Sequence, residues 1–292
     1  MTSILLLLLL LAVTPAVASD SRIDSPIDLP TRDEVREKLA EGETLDGTEL
    51  YDRFLDNRKK LRSAYQRGWI RSSDPGGNPQ RVDFWLKARD ERDDDDEAVD
   101  GVFGRIVIKI IGPNDLEHSG YLYIHRDERD DEQFMFSPHR NRTSRISLKG
   151  QRIAGSDFSF DDFLVNLDDL EDGTYKRFPD ELIDGTPVYV VEAVMSPESK
   201  SSYTRSIQYL EQEHYVPLVA RYWDDAGVEA KKLTAPHASI KEFAGVWVAK
   251  EATMVDILEN TRSTMHILTL DPDAEFDEDE FALSRLQFTP DS

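Results

Sequence analysis

The sequence predicts an α+β fold, in which a few helices cover the concave face of one strongly curved antiparallel sheet. From Gly101 onward, about ten short segments of alternating apolar and polar residues follow one another, with turn residues between them. No stretch between them has the length and helical periodicity that a parallel strand connection needs. One large antiparallel sheet is therefore the expected architecture.

The clearest predicted strand covers residues 102–110. Its isoleucines alternate with Arg105 and Lys109, and a period of two places the isoleucines on the buried face and the two cations on the other. The remaining predicted strands are 82–87, 120–126, 133–136, 143–148, 186–195, 203–210, 216–223, 228–234, 246–250, 253–259 and 264–270.

Helical patterns precede the strands, at residues 31–40 and 47–65. In the first, Thr31 can cap the helix and Glu34 stands three residues later, as in a capping box. In the second, apolar residues recur near helical spacing. Both segments are expected to be amphipathic helices that act as lids on the sheet. The apolar residues of the second are Leu50, Phe54, Leu55 and Leu61.

Residues 1–18 have the features of a secretory signal peptide. An apolar core runs from Ile4 to Leu11, and Ala16-Val17-Ala18 is a small-residue cleavage motif. The core is too short to span a bilayer, although an uncleaved anchor is an alternative because the residues before it include no Lys or Arg. Residues 19–30 are then an irregular lead-in, and residues 31–292 are predicted to form a single domain.

Composition predicts an exported protein that is soluble after the signal peptide is removed. The chain has no cysteine, so it can carry neither a lipid anchor nor disulfides, and its stability has to come from core packing. The formal net charge of −23 disfavours binding to nucleic acid and to anionic membrane surfaces. The acidic excess forms either a solvated surface or a binding face for a basic partner.

An acidic run at residues 90–97 includes four consecutive aspartates, Asp93 to Asp96. Such charges repel one another, which favours a mobile, solvated hairpin loop over residues 90–100. A calcium site is the alternative. The spaced acidic pattern and trailing glutamate of a calcium-binding loop are missing, however, so no metal is expected.

Residues 134–163 join a basic extended segment to a tight turn and a helix start. Gly155 is expected either to have a positive φ or to let the backbone pack closely, and Asp157 to accept backbone hydrogen bonds within the turn. Ser159 can cap the helix, with Asp162 at the third position. A surface loop tucked onto a core would use the same residues. The predicted buried side is Phe158, Phe160 and Phe163, and the arginines expected near water are Arg140, Arg142, Arg145 and Arg152.

This segment resembles the signature of the LolA-like outer membrane lipoprotein-sorting protein family. Residues 221–227 and 240–248 are similar to the C-terminal part of that family, although Ala249 stands where the family has a proline. The resemblance covers residues 103–288, and residues 19–100 match weakly. The matching motif residues are Ser137, Pro138, Arg140, Arg145, Gly155, Ser156, Asp157, Phe158 and Asp162.

The resemblance implies a LolA/LolB-like half β-barrel whose concave face holds acyl chains beneath helical lids. Burial of each methylene contributes roughly 0.8 kcal/mol, so a sixteen-carbon chain would gain on the order of 12 kcal/mol of binding free energy before ordering costs. A filled core is the alternative for each apolar residue. The candidate ligand-binding residues are Ile106, Ile108, Ile110, Leu122, Ile124, Tyr189, Val191, Met195, Ile207, Tyr209, Leu218 and Tyr222.

Motifs for covalent chemistry are weak. The sequence has no G-x-S-x-G, H-E-x-x-H or P-loop pattern, and its six histidines are scattered. We therefore expect no cofactor and no catalytic residues. The resemblance implies a periplasmic, monomeric carrier of lipid or lipoprotein acyl chains. The resemblance also suggests an RND-type membrane transporter as a partner. A periplasmic hydrolase of lipid or polysaccharide and a calcium-dependent structural or adhesion module are the alternatives.

Overall fold

A computed structural model describes residues 45–73, 77–113, 116–128, 130–147, 150–160, 162, 170, 173–197, 199 and 201–288. The predicted signal peptide, the lead-in and the first predicted helix, at residues 31–40, lie outside the described residues. None of the helices within these ranges is long and apolar enough to cross a membrane.

Antiparallel strands dominate the fold, as predicted. The strands are β1 (Ala64–Ser73), β2 (Pro79–Asp90), β3 (Val102–Gly112), β4 (Gly120–Arg126), β5 (Glu132–Ser137), β6 (Arg142–Arg145), β7 (Gly173–Ile183), β8 (Thr186–Met195), β9 (Arg205–Glu211), β10 (Pro217–Trp223), β11 (Glu229–Thr234), β12 (Ile240–Phe243), β13 (Val246–Ala249), β14 (Glu251–Asp256) and β15 (Thr261–Asp271). Short 3₁₀ turns cover Pro138–Arg140, His237–Ser239, Glu278–Phe281 and Leu283–Gln287.

Thirteen of these strands form one open sheet, in the order β6-β5-β4-β3-β2-β1-β15-β14-β11-β10-β9-β8-β7. Each neighbouring pair is antiparallel, which the short connections between successive strands allow. The two remaining strands, β12 and β13, form a separate hairpin.

Helix α1 (Gly47–Lys59) is the one α-helix element among the described residues. A complete capping box starts it: the Asp46 carboxylate accepts from the Glu49 backbone N–H, and Glu49 accepts from that of Asp46. The sequence prediction extended this helix to Tyr65, which was wrong, because β1 begins at Ala64. Alternate β1 residues are buried, and that period of two marks a strand. Strand β7 was also not predicted.

The sheet has an inner face, defined here as the side that carries Ile106, Ile108 and Ile110, and an outer face. Residues directly opposite each other in antiparallel strands share a face. Ile108 pairs with Leu86 on β2 and with Tyr121 on β4, so these side chains also lie on the inner face. The three isoleucines are at most 5% exposed, as the strand pattern predicted.

Among the described residues, three elements cover the inner face. Residues 150–160, called the cover loop below, pack on β1 to β4 through Phe158 and Phe160. Helix α1 packs on β7 to β9, where Tyr51 stacks on Tyr175 at a centroid distance of 4.2 Å. The β12–β13 hairpin packs on β1 and β15. The inner face is therefore a core closed by elements from outside the sheet.

The outer face of β2 to β5 is covered by residues 272–288, called the C-terminal strap below. Phe281 and Leu286 of the strap pack against Trp85 and Val107. Lys109 lies on this face, opposite the isoleucines, as predicted, and only 1% of the residue is exposed. The strap explains this burial, since the Lys109 ammonium lies beneath it and donates a hydrogen bond to the Leu286 carbonyl oxygen.

Burial of the Lys109 ammonium has an electrostatic consequence. Loss of solvation disfavours the charged form and lowers the Lys109 pKa to about 8. The packing around the Lys109 ammonium is also close: a Cβ on Gly120 would stand 2.8 Å from Lys109 Nζ and 3.0 Å from the Leu286 carbonyl oxygen. Glycine at position 120 therefore permits the close packing of strap and sheet.

The acidic run forms the connection between β2 and β3, in agreement with the predicted hairpin loop. It is more ordered than the charge pattern indicated. Asp93 Oδ1 accepts from the backbone N–H groups of Asp95 and Glu97, each at 3.0 Å. Asp96 accepts from Arg62 Nη1 at 2.9 Å. These bonds close the turn and attach it to the region where α1 meets β1.

The turn in the cover loop has the predicted backbone geometry. Gly155 has a φ of +77°, and the preceding Ala154 has a φ of +49°. The turn is closed by a hydrogen bond from the Ser156 N–H to the Ile153 carbonyl oxygen at 2.9 Å. Because a Cβ at position 155 would meet no atom within 4 Å, the requirement for glycine there is conformational and not steric.

Gly155→Val should therefore destabilise the protein by about 1–3 kcal/mol, because a β-branched residue at a positive φ is strained. Gln151→Val is the matched control, since Gln151 is an exposed residue of the same loop, and it should change stability by no more than about 0.5 kcal/mol. Urea denaturation measures both. Equal stability of the wild type and Gly155→Val would remove the structural role of this turn.

Asp96→Ala should destabilise the protein by about 1–2 kcal/mol, because the guanidinium that loses this carboxylate belongs to a side chain that is 7% exposed. Asp94→Ala, at an exposed position of the same run, should stay within about 0.5 kcal/mol. Millimolar calcium should leave the melting temperature of the wild type unchanged. A large calcium-induced rise that Asp96→Ala abolishes would instead support the calcium module.

The lowered pKa of Lys109 predicts that the stability of the protein depends on pH. Between its lowered pKa of about 8 and the ordinary value of 10.5, the unfolded chain binds more protons than the folded protein, so the free energy of unfolding rises with pH. Compared with Lys109→Met, the wild type should gain about 1–2 kcal/mol from pH 7 to pH 10. Denaturant titrations at both pH values measure this gain. Parallel pH profiles for the two proteins would contradict it.

Candidate functional site

The cover loop is attached to the inner face by Asp157, whose side chain is 3% exposed. Its carboxylate accepts from Thr261 Oγ1 at 2.5 Å and Ser263 Oγ at 2.6 Å. Its backbone N–H donates to Ser263 Oγ at 3.0 Å. We predicted bonds from Asp157 to the backbone of its own turn; the structure instead directs the carboxylate to side chains of β15, more than a hundred residues away.

Arg152 extends this attachment toward the surface. Its guanidinium lies 3.4 Å from Asp157, 2.5 Å from Asp256 on β14 and 2.8 Å from Glu259. The Arg152 side chain is 27% exposed, so it is less accessible than its expected position near water suggested. One arginine thus bonds to a carboxylate of its own loop and joins the loop to the end of β14 and the following turn through two more.

A second attachment point centres on Asp162, whose side chain is 6% exposed. Asp162 accepts from the Ser159 N–H and from the Tyr203 hydroxyl, each at 2.7 Å, and from Lys231 Nζ at 3.1 Å. The predicted pairing of Ser159 with Asp162 is confirmed, whereas most of the helix expected to follow lies outside the described residues. Burial, together with the Asp162 carboxylate, raises the Tyr203 pKa far above its usual range.

Ser159 and Lys231 lie close enough to suggest a serine–lysine nucleophile, since Lys231 Nζ is 3.0 Å from Ser159 Oγ. Ser159 is 1% exposed, however, and its hydroxyl donates to Asp162 at 3.0 Å. A nucleophilic hydroxyl has to face a substrate, with a base free to take its proton. This hydroxyl instead lies inside a closed hydrogen-bond network that holds the loop.

The remaining motif residues lie at the surface of the β5–β6 connection. Ser137 and Pro138 start the 3₁₀ turn at Pro138–Arg140, and Arg140 and Arg145 are exposed, as predicted. Phe158 and Phe160, by contrast, are at most 2% exposed, and the Phe160 ring is 4.7 Å from that of Tyr121. The motif thus combines an apolar contact with two polar attachment points.

The structure divides the predicted ligand-binding residues between the two faces. Leu122 and Ile124 pack beneath the C-terminal strap on the outer face, because their β4 neighbours Tyr121 and Tyr123 pair with inner-face isoleucines. A second outer-face group contains Ile207, Tyr209 and Leu218. The predicted residues on the inner face are Ile106, Ile108, Ile110, Tyr189, Val191, Met195 and Tyr222.

A polar group on the inner face was not predicted. Ser206 and Gln208 of β9, Tyr222 of β10 and Lys231 of β11 share this face, as their cross-strand pairs show. We call these four residues the polar seam. It separates the apolar cluster beneath the cover loop from the apolar cluster beneath α1. The signal available in the sequence was in β9, where the polar residues Ser206 and Gln208 alternate with Ile207 and Tyr209.

No three or more His, Asp or Glu side chains within the described ranges are grouped as a metal site requires. A cleft of about 280 Å³ lies between the strap and the outer face of β2 and β3. Lys87 pairs with Glu280 across this cleft, Arg285 pairs with Asp279 within the strap, and Lys109 donates to the Leu286 carbonyl oxygen. The covered inner face is therefore the candidate site.

The fold has been seen in solved structures. A domain from Vibrio parahaemolyticus described as an outer membrane lipoprotein-sorting protein domain is 20% identical, with a TM-score of 0.68, over 83% of this chain and 98% of that one. A DUF1329 family protein from Desulfovibrio piger is 21% identical, with a TM-score of 0.70, over 81% and 97%. A LolA superfamily protein from Nitrosomonas europaea is 15% identical, with a TM-score of 0.60, over 80% of this chain and 97% of that one.

These similarities confirm the predicted resemblance to LolA-like proteins at the level of the fold. No curated protein matches the sequence. A family model described as that of an uncharacterized protein matches residues 104–287, close to the range of the resemblance found in the sequence. Because that match covers more than half of the chain, the protein belongs to the family that this model describes.

Proposed function

We propose that the protein is a periplasmic carrier that binds a lipid or the acyl chains of a lipoprotein on its inner face, beneath the cover loop and α1. In this proposal the sheet is curved as a half β-barrel, and the covering elements separate from it to admit the ligand. The protein carries the ligand without covalent chemistry.

The observation that carries this proposal is how the inner face is covered. Its apolar side chains extend from β4 to β9, yet the elements that pack on them all come from outside the sheet. The cover loop is attached through a few side chains, chiefly Asp157 and Asp162. A cover attached at a few points can separate from the sheet while every strand pair stays intact, and each methylene then buried contributes about 0.8 kcal/mol to binding.

The fold supports the same proposal. One of the similar structures is described as a lipoprotein-sorting domain and another as a LolA superfamily protein. Export, which residues 1–18 predict, would place the chain in the compartment where such sorting occurs. An RND-type transporter that delivers or accepts the ligand is the partner we propose, on the basis of the family resemblance alone.

The absence of covalent chemistry is part of the proposal. The polar residues closest to a catalytic arrangement, Ser159 and Lys231, both bond to Asp162 and hold the loop in place. The chain has no cysteine nucleophile. A hydrolase would need a reactive group that faces the ligand, and these buried residues face one another.

A reversible lock of the cover loop tests the proposal. Asp157 and Ser263 are in contact and have short side chains, so Asp157→Cys/Ser263→Cys should form a disulfide between loop and sheet. When this variant is oxidised, loading of a fluorescent sixteen-carbon fatty acid should slow by about tenfold or more. A reductant should restore the loading rate, which stopped-flow fluorescence measures.

Thr253→Cys/Thr264→Cys is the matched control. These residues are direct cross-strand partners on the outer face, with their hydroxyl oxygens 2.9 Å apart, so their disulfide joins β14 to β15 and leaves the loop free. Its oxidised form should load at the wild-type rate. The carrier proposal fails if the wild type binds no fatty acid, and the role of the loop fails if the locked variant loads as fast as the control.

A further inference from the structure

Gln208 lies on the inner face, on β9, two strands from the edge strand β7. Its cross-strand partners are Val191 on β8 and Ala220 on β10. Val191 belongs to the apolar cluster beneath α1, whereas Leu233, which pairs with Ala220, packs on the cluster beneath the cover loop. The Gln208 amide therefore lies where the two apolar clusters meet.

The Gln208 side chain is deeply buried and incompletely bonded. The residue is 2% exposed, and its Nε2 makes one long bond, of 3.4 Å, to Ser206 Oγ. Its Oε1 has no hydrogen-bond partner among the described residues. Buried polar atoms in native proteins are almost always paired with protein or bound solvent, so an open acceptor on an otherwise apolar face requires an explanation.

Two donors beside the polar seam are directed elsewhere. Lys231 donates to Ser159 and Asp162, and the Tyr203 hydroxyl donates to Asp162. Both therefore serve the attachment of the cover loop. The Gln208 carbonyl oxygen stays an unpaired acceptor on the inner face, where the proposed ligand would lie.

We propose that Gln208 anchors the polar part of the bound lipid by accepting a hydrogen bond from an N–H or O–H group next to the acyl chain. The inference rests on the proposed function and specifies the ligand class: amphiphiles with an amide or hydroxyl donor near the acyl carbonyl. The chain itself lies on the apolar residues beside the seam, and lipids joined only through esters lack the donor.

The test compares two probes that differ in one atom. N-palmitoylglycine has an amide N–H where its isostere, O-palmitoylglycolic acid, has an ester oxygen. Competition against a fluorescent fatty acid gives the dissociation constant of each for the wild-type protein. We expect the amide to bind about tenfold more tightly than the ester, which corresponds to one hydrogen bond of about 1.4 kcal/mol.

Gln208→Met should bind both probes equally, with the affinity of the wild type for the ester. Methionine keeps the unbranched shape and removes the acceptor. Gln66→Met is the matched control: Gln66 is also a buried glutamine on the inner face, paired with Leu86 and Leu270 near the β12–β13 hairpin. It should keep the preference for the amide.

The outcomes separate the two proposals. If the fluorescent fatty acid and both probes fail to bind to the wild type, the carrier function is overturned, and this inference with it. If both probes bind to the wild type with equal affinity, the role of Gln208 is overturned and the carrier function stands. The comparison of the two probes on the wild-type protein tests the role of Gln208 even if Gln208→Met does not fold. If Gln208→Met folds and still prefers the amide, the role of Gln208 is also overturned.

Discussion

The inner half of the molecule depends on two buried carboxylates that hold a loop from outside the sheet in a single position. Asp157 accepts from Thr261, Ser263 and Arg152, and Asp162 accepts from Ser159, Tyr203 and Lys231. Removing one partner of a buried charge is far more costly than the intact arrangement. The loop therefore has one seated position, in which Phe158 and Phe160 meet the sheet.

The polar attachments and the apolar contacts have different roles. Phe158 and Phe160 contribute burial, which is large but nondirectional, whereas hydrogen bonds to Asp157 and Asp162 require defined positions. The outer face is covered in another way. There the strap supplies Phe281 and Leu286, and the buried Lys109 ammonium bonds to a backbone carbonyl oxygen. Burial lowers the pKa of that lysine.

The sequence predicted the sheet well because the strand signal is local. The bounds of β4 and β8 agree with the alternation and turn residues at 120–126 and 186–195, and Gly155 has the positive φ that its turn required. The side of the sheet on which each residue lies was less predictable. Both sides of β4 are buried, so Leu122 and Tyr121 are equally apolar positions, and only the pairing with β3 assigns them to opposite faces.

Long-range partners account for the other differences. The bonds of Asp157 to β15, the cover above Lys109 and the alignment of Ser206 with Lys231 across three strands all join residues far apart in the chain. No local pattern encodes these contacts. At the cover loop, Arg152 and Lys231 meet carboxylates at buried points, whereas acidic residues without such partners, such as Asp94, stand at the surface. A net charge of −23 is thus compatible with a packed interior because the buried carboxylates that hold the loop are matched by cations, and the excess remains in water, where like charges repel weakly.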